Sequence, residues 1–155
     1  MPEKYLELLG ARGSQVLREG IGAFQRGLFI AAVDLLGAAS EAAWFGLGAY
    51  LTDDEKLQRL VAAGDNAAEV IDRSAEGVAR RNAWNKRGLN DLRSQAAHFR
   101  DLRNYGLHPT GETDDDLEVA FTEAGCAVLY MAAPRYFRQL DQIRLRLQDE
   151  EQEVG

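Results

Sequence analysis

The residues of this sequence best suited to chemistry are Arg103 and His108, which lie five positions apart in the stretch RNYGLHP. A histidine titrates near neutral pH and can give or take a proton. An arginine stays charged and offers fixed donors to phosphate oxygens. A phosphodiester of RNA breaks when its 2′-oxygen attacks the neighbouring phosphorus, so a catalyst must move two protons and stabilise a phosphorane. An arginine and a histidine held close together are chemically able to do both without a metal, and Asn104 could orient the histidine or a phosphate.

The arginine falls on the apolar side of the helix that is expected to carry it. On a helical wheel of residues 89–103, Arg103 lies about 40° from Phe99, inside the apolar arc. A guanidinium in such a place needs a carboxylate, carbonyl oxygens or an incoming anion. Two interpretations stay open. Arg103 either pairs with Asp34 or Glu41 and only fixes helix register, or it lines a groove and meets a phosphate.

Charge around the pair favours an anionic ligand. Residues 73–108 hold eight Lys/Arg and three acids, a net charge of +5 in a chain whose net charge is −7. Arg93 and Arg100 border the arginine on the wheel and are predicted to bind substrate, although a solvated arginine-rich face is the alternative. Tyr105 either stacks on a base or caps the helix end. Pro109 is expected to hold the histidine on an extended loop.

Composition and periodicity predict an all-α protein of one domain. The chain of 155 residues is 46% apolar, holds only three prolines and lacks a sustained alternating pattern. Five helices are expected, and their ends and bends are inferred from glycines, prolines and capping residues. The expected helices are residues 5–18, bent near Gly10 and Gly13; 21–51; 52–80, capped at Thr52; 89–106, ending at Gly106; and from 117 onward, kinked or split at Pro134.

The segment from Ile21 to Leu51 is long and apolar enough to cross a bilayer. Asp34 and Glu41 oppose that interpretation, because they are seven residues apart on one face and each is costly in hydrocarbon. Small residues such as Gly37 would let another helix approach closely. The segment is predicted to be the central helix of a bundle, with no membrane partner.

The sequence holds no Cys/His zinc spacing, glycine-rich phosphate loop or Ser/His/Asp motif, so neither a metal nor a cofactor is expected. Thr113 and the acids Asp114–Asp116 are interpreted as the start of a helix rather than as metal ligands. The single cysteine, Cys126, lies in an apolar run and is predicted to be a buried packing residue. The N-terminus lacks the design of a signal peptide, and a cytoplasmic location is expected.

The motif Arg103-Asn104-x3-His108, at the end of a helix in a small all-α chain, resembles the R-x(4–6)-H signature of HEPN domains. The small-residue-rich helix that precedes it, FIAAVDLLGAASEAAWFGLGAYL, is similar to the helix that such domains place before their motif. The resemblance covers residues 20–145. It implies a four- to five-helix up-and-down bundle, and it assigns the motif arginine, adjacent polar residue and motif histidine to Arg103, Asn104 and His108.

The resemblance further implies a homodimer in which two motifs face each other across a cleft. Many such domains are metal-independent endoribonucleases that act as toxins or defence effectors, while others are inactive and serve in binding or assembly. An antitoxin or defence-system partner is a corresponding expectation. The chain would then comprise an N-terminal helical segment (1–20), the bundle (21–147) and an acidic frayed tail (148–155). A third interpretation, a small-molecule sensor, rests on Trp44, Phe45 and Trp84 as stacking surfaces.

Overall fold

The structure, a computed structural model, describes residues 2–108 and 113–154, and over these residues it contains helices and no strand. The all-α prediction is confirmed. Seven α-helices are present, which is more than the four or five expected. They are α1 (Leu6–Gln25), α2 (Phe29–Gly48), α3 (Glu55–Ala63), α4 (Ala67–Arg80), α5 (Lys86–Leu107), α6 (Asp115–Glu118) and α7 (Glu123–Val154), with 3-10 turns at Pro2–Tyr5 and Val119–Phe121.

The first two helices meet at a different place from the one predicted. Helix α1 continues past residue 20 to Gln25, and Gly27 then turns the chain with a φ of 74°. The central helix α2 therefore begins at Phe29 rather than Ile21, and it ends at Gly48. The bend predicted at Gly10 is confirmed, since that residue interrupts α1 with a φ of 73° that glycine adopts without strain.

The segment 52–80 forms two helices where one was expected. Gly64 ends α3 in the left-handed conformation (φ 63°), and the side chain of Asn66 accepts a hydrogen bond from the backbone N–H of Glu69 to begin α4. Thr52 was the wrong cap. Asp54 caps α3 instead, because its carboxylate accepts from the N–H of Leu57 at 3.0 Å.

The second half of the chain is more helical than predicted. Helix α5 continues one residue beyond Gly106, and His108 is its C-cap. Helix α7 is not split at Pro134 and runs to Val154, so the tail from residue 148 is helical. Packing explains the continuity at the proline, because Tyr136 and Phe137, two and three residues after it, are almost fully buried.

Helix α2 is the central helix of the bundle, as predicted, and its small residues allow close packing on both sides. A Cβ on Gly46 would lie only 1.8 Å from the carbonyl oxygen of Leu8 in α1. The core beneath contains a hydrogen-bonded group: the indole N–H of Trp44 donates to Oη of Tyr136 at 2.8 Å, and Ser40 lies 2.7 Å from the same oxygen.

By length and composition, α2 is the one helix in the described ranges that could cross a membrane, with a mean hydropathy of 1.3. Half of the apolar window is buried inside the protein itself. Burial of this kind is also typical of a core helix in a bundle.

Candidate functional site

The helix with the motif, α5, lies antiparallel to α2, with Arg103 beside Gly37 and Gly106 beside Asp34. A Cβ on Gly37 would lie 3.1 Å from both the Cβ of Arg103 and the carbonyl oxygen of Phe99. A Cβ on Gly106 would lie 2.6 Å from Oδ1 of Asp34. Two glycines, one on each helix, therefore let the motif lie directly against the acidic face of α2.

Arg103 is paired within its own chain. Its Nη1 lies 2.7 Å from Oε2 of Glu41, and the two side chains are 34% and 21% exposed. Of the two carboxylates that the sequence offered, Glu41 is thus the partner. The pair is only partly buried, and an arginine has five N–H donors, so one hydrogen bond does not saturate the guanidinium.

Asp34 lies between the arginine and the histidine end of α5, and its side chain makes no hydrogen bond within residues 2–108 and 113–154. Its Oδ1 is buried and finds no partner among the described residues. Burial raises the pKa of this carboxyl above its usual range, and the positive charge of Arg103 opposes that rise only in part. The position is therefore unfavourable for a charged aspartate.

We expect Asp34→Asn to stabilise the protein at neutral pH. Because the pKa of Asp34 is raised in the folded state, the wild-type protein loses stability as pH rises through that pKa, whereas an amide does not ionise. The melting temperature of Asp34→Asn should therefore exceed that of the wild type at neutral pH, and the margin should shrink as the pH is lowered towards the usual pKa of an aspartate. Asp101→Asn, an exposed aspartate of α5, is the control, and an equal gain there would contradict the assignment.

His108 lines a cavity of about 240 Å³ at the C-terminal end of α5. The cavity lies between this helix, the start of α2 and the segment 113–121. Its lining residues are Ile30, Tyr105, Gly106, His108, Thr113, Glu118 and Phe121. Arg103 is not among the described residues that line it, so one chain does not place both motif side chains in this cavity. Pro109, which was expected to restrain the histidine, lies outside the described residues.

Tyr105 connects the end of α5 to α6. Its hydroxyl donates to Oε1 of Glu118 at 2.5 Å and accepts from the backbone N–H of Asp114 at 3.2 Å. The ring packs at 5.8 Å from that of Phe121. The hydrogen bond to Glu118 raises the pKa of the Tyr105 phenol. The tyrosine thus both closes the helix end and forms one wall of the cavity.

The other predicted substrate-binding residues are not gathered around His108. Arg93 pairs with Asp72 at 2.8 Å on an exposed surface. Arg100 is half-buried and Asn104 is exposed, and neither side chain makes a hydrogen bond or ion pair within the described parts of the chain. Glu118 and Phe121, by contrast, were missed by sequence reasoning. No local pattern marks them, because only the folding back of segment 113–121 brings them to the motif.

The remaining candidates from the sequence lie elsewhere. Asp114 caps α6 by accepting from the N–H groups of Asp116 and Leu117, as predicted for the acidic stretch. Across residues 2–108 and 113–154, no group of three or more His, Cys, Asp or Glu could hold a metal ion. Cys126 is fully buried, which confirms its packing role, and burial raises the pKa of its thiol. Trp44 belongs to the core, and Arg146 covers the ring of Trp84 at 4.8 Å.

Comparison of the whole chain with protein-family models, curated proteins and solved structures gives no match.

Proposed function

We propose that this protein is a metal-independent endoribonuclease of the HEPN type that acts as a homodimer in the cytoplasm. The observation that supports it most is the placement of His108 in a cavity at the end of the helix that also carries Arg103, whose side chain stays about one-third exposed. A proton-transfer group is thus open to a ligand, and a fixed cation lies five residues away on the same helix.

In the proposed reaction the 2′-oxygen of RNA bonds to phosphorus and the bond from phosphorus to the 5′-oxygen breaks. A histidine removes the 2′-proton as base, and a second proton donor protonates the leaving 5′-oxygen. Arg103 donates hydrogen bonds to the non-bridging oxygens as negative charge develops on them. The products are a 2′,3′-cyclic phosphate and a 5′-hydroxyl.

In this scheme the homodimer brings arginine and histidine side chains together in one cleft, which a single chain does not do. Since Arg103 does not line the cavity of its own His108, a second copy is needed to bring further arginine and histidine side chains to one cleft. Ile30 lines the cavity, Leu107 and Val119 are next in sequence to residues that line it, and all three side chains are more than half exposed. Exposed apolar side chains grouped in this way are typical of a surface that contacts another protein. An antitoxin or defence-system partner that controls the nuclease is part of the same proposal.

Incubation of the purified protein with total cellular RNA in EDTA tests the activity. We expect cleavage that persists in the chelator and leaves 2′,3′-cyclic phosphate ends. Cleavage that stops in EDTA and returns with a divalent metal would contradict a metal-independent mechanism, and intact RNA under all conditions would remove the enzymatic proposal.

A second candidate function is that of a catalytically silent binding or assembly module, and the ion pair between Arg103 and Glu41 favours it. In this scheme the arginine is a framework residue that fixes the register of α5 on α2. The exposed apolar patch around His108 would then serve only to hold a partner. The two candidates make different predictions for the same substitution.

We expect Arg103→Ala to separate them. As a framework residue, Arg103 should contribute about 1 kcal/mol of stability through a partly exposed pair, and Glu41→Gln should cost a similar amount. As a catalytic residue, its loss should lower the rate of RNA cleavage about 10²–10³-fold, while Glu41→Gln stays active. Thermal melts and cleavage rates of both variants provide the measurement.

Lys56→Ala is the matched control for loss of an ion pair, since Lys56 pairs with Glu69 at 2.8 Å away from the motif. If Arg103→Ala changes stability but leaves cleavage at the level of Lys56→Ala, the catalytic role of Arg103 is excluded.

A further inference from the structure

The cavity beside His108 combines features that suit a flat, polar ring. Tyr105 and Phe121 give it aromatic walls, and Ile30 adds an aliphatic one. Both aromatic side chains are half-buried, so each keeps a surface on which a ligand could stack. Unstacked RNA bases are commonly held by an aromatic side chain that stacks on one face of the ring and by polar groups that contact its edge.

Glu118 is one of the polar residues that line this cavity in the described parts of the chain, together with Tyr105, His108 and Thr113. Its Oε1 accepts the hydrogen bond of Tyr105, which fixes the orientation of the carboxylate. Its Oε2 has no hydrogen-bond partner in the described ranges of the chain. An ionised carboxylate has about four acceptor sites, so Glu118 can still accept two further hydrogen bonds from neighbouring donors on a ligand.

We propose that this cavity is a base-binding pocket that selects guanine in single-stranded RNA, with Glu118 as the specificity-determining residue. The proposal rests on the proposed function for its RNA ligand. Guanine carries two adjacent donors, N1–H and N2–H, on one edge, and these match the two oxygens of a carboxylate. Adenine and cytosine place a ring acceptor beside their exocyclic amine, and uracil places its single donor between two carbonyl oxygens.

The negative charge of the pocket strengthens the selection. A carboxylate close to the RNA backbone repels its phosphates, and Asp114 and Asp116 nearby add to that repulsion. Only a base that donates two hydrogen bonds to Glu118 offsets this cost. Adenine, cytosine and uracil would each leave an acceptor facing the carboxylate, so the pocket discriminates by rejecting them as well as by binding guanine.

Binding of non-cleavable RNA tests the pocket directly. The probes are fluorescein-labelled 2′-O-methyl heptamers of uridine, either unchanged or with a single central guanine, adenine or cytosine, titrated with the full chain in EDTA. We expect the guanine heptamer to bind about tenfold more tightly than the other three, which lies in the range for one bidentate base contact. Glu118→Gln should reduce that preference to about twofold or less, because an amide presents one acceptor and one donor.

Glu123→Gln is the matched control, since Glu123 is an exposed acid in the first turn of α7 and does not line the cavity. It loses the same charge, so it should keep the guanine preference. Equal binding of all four heptamers by the wild type, no binding of any, or an unchanged preference in Glu118→Gln would overturn the proposal.

The outcomes separate this proposal from the one on catalysis. A guanine preference in a protein that does not cleave RNA would leave the pocket standing and remove the nuclease. Cleavage of cellular RNA that depends on His108, together with equal binding of the four heptamers, would leave the nuclease standing and remove the pocket.

Discussion

Replacing His108 with alanine should lower the rate of RNA cleavage about 10²–10⁴-fold, the usual contribution of a positioned proton-transfer group. The side chain is exposed at the end of α5, so its removal should change the free energy of unfolding by no more than about 0.5 kcal/mol. Cleavage rates on total RNA in EDTA and thermal melts of the same preparations measure the two effects.

The chain supplies its own control for this experiment. His98 is the other histidine, and it is also exposed on α5 but away from the cavity. His98→Ala should keep full activity. If His98→Ala and His108→Ala cleave at the same rate, the nuclease activity does not belong to the motif, and a contaminating ribonuclease would be the simplest source of it.

The largest expected effect on stability comes from Trp44→Ala. Trp44 is fully buried in the last third of α2, and its indole N–H donates to Oη of Tyr136. Truncation of a buried tryptophan leaves a cavity and costs about 3–5 kcal/mol. Since a domain of this kind has a total stability of about 5–15 kcal/mol, this single substitution should remove at least about one-fifth of it. Urea denaturation followed by circular dichroism measures the loss.

Trp44→Phe distinguishes packing from hydrogen bonding at this position. It keeps an aromatic ring and removes the N–H donor, while Ser40 remains 2.7 Å from Oη of Tyr136. We expect a loss of about 1–3 kcal/mol, smaller than that of the alanine variant. A phenylalanine variant as unstable as Trp44→Ala would mean that the hydrogen bond, rather than the buried ring, holds this part of the core.

Helical content was predictable from the sequence, but the boundaries of the helices were not. Asn66 and Gly64 carried the signals that divide residues 52–80, yet the apolar spacing on both sides continued at a helical period and concealed the break. At Pro134 the opposite occurred. The proline predicted an interruption, and the burial of Tyr136 and Phe137 keeps α7 continuous. Local signals compete with packing, and the sequence does not state which prevails.

The candidate site was predictable only in part, because long-range packing decides which side chains meet there. The position of Arg103 on the helical wheel required a partner, and two carboxylates of α2 were available. Asp34 and Glu41 lie seven residues apart on one face, so only the register of α5 on α2 decides between them. That register depends on the close contacts at Gly37 and Gly106. The contact between Glu118 and Tyr105 depends on how segment 113–121 packs against α5. No local sequence pattern predicts this packing.

The contact between Gly46 and the backbone of Leu8 restricts how this protein can move. Where a Cβ would lie 1.8 Å from a carbonyl oxygen, no side chains separate the two helices that could change rotamer and let one slide over the other. Helices α1 and α2 must therefore shift together as a rigid unit.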